Sequence, residues 1–325
     1  MILRTSLAAV AAVLLSASGA LAQIELKLGH VAEPGSLIAQ SADEFARRAN
    51  AKLGDKAKIT VYPSSQLGSD RDMFQKLKLN QLQIWIPSTI MSSIADEYGV
   101  FEMPYIIKDR EHMKRVMENL GEKYLIPAAK EKGVLVLGQW ENGFRHITNN
   151  VRPIVKPEDL KGIKLRVPAG EWRVKMFQTY GANPSPMAYG EVFTALKTGV
   201  MDGQENPYPQ IWGGKFHEVQ KYISLTGHVF TPAWLVVSPT QFSKLPEDVQ
   251  KIIAEEAKST EDYVRELATK LDNELLDKMT SSSQMKPNEV DKDAFIAASG
   301  SIYEEFGKSV KNGAELIKEI RALAN

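Results

Sequence analysis

From residue 24 the chain alternates. Ile24, Leu26 and Leu28 are separated by Glu25 and Lys27, the two-residue period of a half-buried strand. After a loop over 29–36 that carries Pro34 and Gly35, Ile38, Ala42, Phe45, Ala46, Ala49 and Leu53 fall on one stripe and predict an amphipathic helix. Ile59-Thr60-Val61-Tyr62 predicts a second strand, stopped by Pro63. In such a strand–helix–strand unit the loop after the first strand lies at its carboxyl end, where open α/β sheets bind ligands. The alternation continues with a helix over 71–79, an apolar strand at 84–86, a charged helix over 110–125 and a strand at 134–137. Then follow a strand over 163–167, helices over 172–180 and 191–197, and a long apolar strand over 229–238 interrupted by Pro232. The pattern predicts an α/β fold.

One element is unusually long. Residues 246–279 contain no internal Gly or Pro, and Glu247 and Asp248 follow Pro246 where a helix dipole favours acids. Unbroken, this helix would be about 50 Å long at 1.5 Å per residue. A domain of ~120 residues has a radius of gyration of only about 13–14 Å. The helix is therefore expected to cross two domains, which a chain of 325 residues can form.

The first residues change the picture of where the chain works. Arg4 is the lone charge before an apolar run from Leu7 to Leu15, and Ala20-Leu21-Ala22 precedes Gln23. That is the layout of a secretory signal peptide over 1–22, cleaved near Ala22/Gln23. Lys plus Arg and Asp plus Glu both number 40, so no basic surplus marks a nucleic-acid binder. The chain has no cysteine, which excludes disulfide frameworks, thiol nucleophiles and Cys-ligated zinc. No GxSxG, GxxxxGK[ST], HExxH or GxGxxG pattern occurs, and the five histidines lack metal-ligand spacing. No cofactor, metal or catalytic residue is expected. His112 and His217 read as surface groups.

Two arginines stand apart. Arg166 lies in Lys164-Leu165-Arg166-Val167-Pro168, near the end of a predicted strand that Pro168 stops. A guanidinium fixed there can offer a planar fork to a carboxylate. Arg145 follows Trp140-Glu141-Asn142-Gly143-Phe144, just past the strand at 134–137. Chemistry alone leaves a surface charge or an internal ion pair open for either.

At these residues the chain resembles a family. Leu160 to Pro168, Gly181-Ala182-Asn183-Pro184-Ser185-Pro186-Met187, Glu191 to Gly199 and Val200-Met201-Asp202-Gly203-Gln204-Glu205-Asn206-Pro207 are similar to the solute-binding proteins of tripartite ATP-independent periplasmic (TRAP) transporters, DctP type. Pro63 to Gly68, Phe101 to Tyr105 and Phe144 to Asn149 fit as well. The resemblance implies a two-lobed periplasmic-binding-protein-like α/β fold with crossover strands and a long helix spanning both lobes. Residues 23–142 plus about 231–272 would form one lobe, and 143–230 plus about 273–325 the other. It further implies a monomer without enzymatic activity that captures a small organic acid in the periplasm and hands it to the transporter's membrane subunits. By position, Arg166 matches the main carboxylate-binding arginine, Arg145 a second arginine, Asn206 a ligand-binding amide and Tyr189 an aromatic wall.

Departures narrow the solute. Pro87 and Ile90 stand where the sialate-binding branch carries charged residues, and Ala169 where it carries a polar one. Loops near the expected cleft offer His30, Glu33, Asp70, Ser88, Thr89, Trp140, Glu141 and Asn142. Carboxylates repel a second carboxylate but accept hydrogen bonds from hydroxyls. The expectation is a sugar acid such as a hexuronate. A C4-dicarboxylate or keto acid is the alternative, and an exported glycosidase using Glu33 and Glu141, or a ligand sensor, the rival from another class.

Overall fold

The structure, a computed structural model, describes residues 23–324. Two mixed sheets carry the chain. The first has the order β2-β1-β3-β10-β4 and the second β11-β9-β5-β8-β6-β7. The first contains β1 (Ile24–Gly29), β2 (Ala57–Tyr62), β3 (Ile84–Trp85), β4 (Leu135–Phe144) and β10 (Phe230–Val237). The second contains β5 (His146–Asn149), β6 (Lys164–Val167), β7 (Asn183–Pro186), β8 (Gly203–Asn206), β9 (Tyr222–Ser224) and β11 (Lys286–Asn288). β4 runs to Phe144 and β5 starts at His146, so the chain crosses from one sheet to the other almost without a break. The two-lobed α/β architecture follows from this arrangement.

Strand pleating assigns side chains to two apolar cores. Successive residues point to opposite faces. Trp85, Trp234 and Val236 enter one core, while their neighbours Ile84, Ile86, Leu235 and Val237 enter the other. β10 is buried at all eight positions, which explains why it is apolar on both faces apart from Thr231. Pro232 is tolerated because the β10–β4 register shifts between Thr231 and Pro232, so its missing N–H falls at a bulge.

Helices cover the sheets. They include α1 (Leu37–Leu53), α2 (Asp70–Lys78), α3 (Arg110–Leu120), α4 (Ile126–Glu131), α5 (Glu171–Thr179), α6 (Val192–Lys197), α7 (Tyr208–Gly213) and α8 (Pro239–Phe242). The long helix α9 is unbroken over Glu247–Ser282, packs on α1, β4 and α7, and leads into β11 of the second sheet. α10 (Lys292–Ala298), α11 (Gly300–Ser309) and α12 (Gly313–Ala322) complete the chain. The expected helix over 110–125 instead changes to a π-turn at Gly121–Leu125 before α4.

The C-terminal segment touches elements of both sheets, since α11 packs on α5 while α12 packs back on α3 and the π-turn. Arg115 donates to Leu323 O, and Lys123 and Tyr124 both donate to Glu319. His112 is buried, not a surface group. Its Nδ1 accepts from Lys108 N–H at 3.1 Å, so Nε2–H donates to Ile320 O at 2.8 Å and ties α3 to α12. His217 is likewise buried and stacks on Trp212 with centroids 4.7 Å apart. Both histidines keep a polar atom on an otherwise apolar seam, which charge patterning does not reveal.

Candidate functional site

A cavity of about 320 Å³ opens where the ends of both sheets meet. The first sheet's side supplies Val31 after β1, Ser69 to Arg71 at the start of α2, Ile86 to Ile90 after β3, and Asn142 on β4. The second supplies Arg145, Arg166, the stretch from Pro186 to Tyr189, and Asn206. Gln210, on the first turn of α7, closes the ring. Sheet geometry sets these positions. Gly203 must be glycine for β8 to approach β5, since a Cβ there would lie 2.3 Å from Thr148 O.

The arginine end is built on buried charge. Arg145 donates through Nε and Nη2 to the Glu205 carboxylate and through Nη2 to Glu205 O at 2.5 Å. Arg173 of α5 lies 2.6 Å from both Glu205 and Glu102, and His228 Nε2 reaches Glu205 at 3.1 Å. Burial alone would raise the Glu205 carboxyl, yet the Arg145 and Arg173 charges hold it well below the usual carboxylate range. Burial pulls His228 down to about 4, so this ring is neutral at pH 7. Burial also pushes Glu102 up against the pull of Arg173.

Arg166, at the end of β6, donates Nε and Nη2 to Met187 O at 3.0 and 2.6 Å. The fork left for a carboxylate is therefore the Nη1/Nη2 end, not the Nε edge that salt bridges often use. Burial and the nearby Arg145 charge lower Arg166 to about 10, leaving it protonated at pH 7. Three buried guanidiniums thus face two buried carboxylates, Glu102 and Glu205. The surplus charge at the cavity floor suits an anion.

Polar groups elsewhere on the wall are held in fixed directions. Asn206 Nδ2 donates to Gln204 Oε1 at 2.5 Å, Gln204 to Thr148 at 2.9 Å, and Thr148 to Gln220 Oε1 at 2.9 Å. Tyr189 donates its hydroxyl to Gln210 O at 2.7 Å, and its ring packs on Phe216. The Asp70 carboxyl has a buried Oδ1 without a protein partner. Burial pushes it up to about 7, against the pull of the neighbouring Trp85 indole and the Arg166 charge.

Of the residues singled out from the sequence, Arg166, Arg145, Asn206, Tyr189, Asp70, Ser88, Thr89 and Asn142 line this cavity together. Four do not. Trp140 points into the apolar core and donates to Ala257 O at 3.0 Å. Glu141 is clamped by Arg110, which also reaches Asp272 at 2.5 Å. Glu33 accepts from Ser64 at 2.6 Å, and His30 is fully buried behind the wall. Glu33 and Glu141 therefore do not flank a common bond in this cavity, as a glycosidase pair must. Gln210, Arg71 and Glu191 also line it but escaped sequence reasoning. Only Gln210 had a positional hint, one helical turn past Asn206.

Two α/β lobes around a polar cavity with a cationic floor define a solute-binding protein. The chain belongs to the DctP family of bacterial extracellular solute-binding proteins, family 7, whose family model matches residues 28–309. The TRAP resemblance read from the sequence motifs is thereby established. The chain is 28% identical to the 2,3-diketo-L-gulonate-binding periplasmic protein YiaO of Escherichia coli K12, over 93% of each chain. It superposes on a TRAP periplasmic solute-binding protein of Polaromonas sp. JS666 bound to D-erythronate with a TM-score of 0.87, at 32% identity, covering 92% of this chain and 99% of that one. A Sulfurospirillum deleyianum homologue with bound succinate gives a TM-score of 0.88 at 31% identity, covering 93% and 100%.

Proposed function

We propose that this protein is the exported binding component of a TRAP transporter and captures a sugar acid of hexuronate type. The observation that carries the reading is the division of the cavity wall. One end holds a surplus of buried guanidinium charge, with the Asp70 carboxyl near Arg166, and the rest holds the amide and hydroxyl acceptors of Asn142, Gln210, Ser88 and Thr89. A monocarboxylate seated on Arg166 and Arg145 would present its hydroxyls to those acceptors. Relatives that bind D-erythronate and 2,3-diketo-L-gulonate support an acid bearing several oxygens. The succinate-bound relative supports the C4-dicarboxylate alternative, as does Arg71, a further cation on the cavity wall.

The signal-peptide pattern over 1–22 supports a periplasmic location, although those residues lie outside the described structure. Among the described residues no helix is long and apolar enough to cross a membrane. Capture proceeds by closure of the two lobes on the acid, and the closed form is what the membrane subunits receive.

A thermal-shift panel tests the assignment. A ligand specific for the folded state stabilises it by about 4 kcal/mol at a thousandfold excess over Kd. Galacturonate, glucuronate, mannuronate and aldonates should be set beside succinate, malate, fumarate, pyruvate and sialate. At least one six-carbon sugar acid should raise Tm by several degrees, and its neutral hexose should not. A larger shift from a C4-dicarboxylate would overturn the sugar-acid reading and leave the family assignment intact.

A further inference from the structure

We propose that Gln210 is the residue that reads a solute hydroxyl, its amide oxygen held ready by a one-way hydrogen-bond relay anchored on Pro232. Gln210 is only 3% exposed and lines the cavity. Its Nε2 donates to Asn142 Oδ1 at 3.0 Å, Asn142 Nδ2 donates to Ser88 Oγ at 3.2 Å, and Ser88 Oγ donates to Pro232 O at 2.9 Å. The last member decides the direction of all the others. A carbonyl only accepts, so the single Ser88 hydrogen is committed to Pro232 O. Ser88 can then only accept from Asn142, Asn142 must turn Oδ1 toward Gln210, and Gln210 must present its NH2.

What remains is Gln210 Oε1, buried and without a protein partner. A buried carbonyl left unpaired is unfavourable, so the site gains when an occupant donates to it. The Tyr189 hydroxyl is committed to the Gln210 backbone oxygen. A solute hydroxyl can supply the bond. A second carboxylate, which only accepts, would meet repulsion there. Asn142 on β4 and Pro232 on β10 belong to the first sheet, and Ser88 lies just past its β3, so the reader is fixed by rigid elements. The inference rests on the sugar-acid reading above and assigns its selectivity against dicarboxylates to one atom.

Calorimetric titration of the protein with D-galacturonate, D-glucuronate, D-galactonate and succinate tests it. Gln210→Met keeps the side-chain length and removes the amide. It should lower the ratio of sugar-acid to succinate affinity by about tenfold, equivalent to about 1.4 kcal/mol. Ser88→Ala frees Asn142 and Gln210 to turn over, and should shift the same ratio in the same direction by a smaller factor. If the wild type binds a sugar acid and both variants keep its affinity ratio, the Gln210 assignment fails while the function stands. If the wild type binds succinate and none of the sugar acids, both fail together.

Discussion

Asp70 carries a cost that its neighbours do not cancel. Its carboxyl sits near 7 in the folded state, mainly through burial, against 3.8 for the free group. Between those values the folded protein holds a proton that the unfolded chain releases. Stability from this site is therefore fully present below 3.8, falls as pH rises from there to about 7, and is gone above 7. Asp70→Asn is neutral throughout. Its Tm should match the wild type near pH 3.5, below the free value, and exceed it at pH 8 by several degrees, at about 2–4 °C per kcal/mol. An equal difference at both pH values would contradict the burial of this carboxylate. Arg166 was legible at this scale because Pro168 ends its strand and leaves the side chain near the strand's carboxyl end. Glu141 was not, because the strand reading stopped at 137 while β4 continues to Phe144. Strand alternation then sends Asn142 to the cavity and Glu141 to the other side, toward Arg110.

Three elements meet at that displaced acid. Arg110 of α3 binds Glu141 of β4 with both Nε contacts at 2.9 Å and reaches Asp272 of α9 at 2.5 Å. Burial pushes Glu141 up to about 7 against this pull, and raises Asp272 as well. Arg110→Ala would leave the buried Glu141 and the half-buried Asp272 without their cation, and breaking the buried pair alone costs about 3–5 kcal/mol. The loss should be largest at pH 8 and smaller at pH 5, where both acids can take protons. Denaturant midpoints at the two pH values check this, and a pH-independent loss would contradict it. Long elements were the most readable: α9 follows from a stretch free of Gly and Pro. The short strands of the second sheet were not. Asn183-Pro184-Ser185-Pro186, with two prolines, shows no strand period, yet forms β7 at the sheet edge, where prolines are tolerated. Gly203 to Asn206 is polar in sequence and buried in full, because its side chains pair with one another and with the arginines.

Over the whole chain acids and bases balance, so no net charge draws an anion toward the cleft. Capture must depend on the local imbalance at the cavity floor, where Arg145, Arg166 and Arg173 face Glu102 and Glu205. This is the level at which separate motifs become one site. Residues 142, 166 and 206 lie far apart in sequence, and only the meeting of two sheets brings them together. The most direct test is calorimetry with the tightest acid of the panel on the wild type and on Arg166→Lys. Lysine keeps the charge and loses the planar fork, and charge-assisted hydrogen bonds are worth about 1.5–3 kcal/mol. Arg166→Lys should bind the acid ten- to hundredfold more weakly, and the neutral sugar should give no heat with either protein. Unchanged affinity for Arg166→Lys, or equal binding of the neutral sugar, would contradict the capture of a carboxylate at this floor.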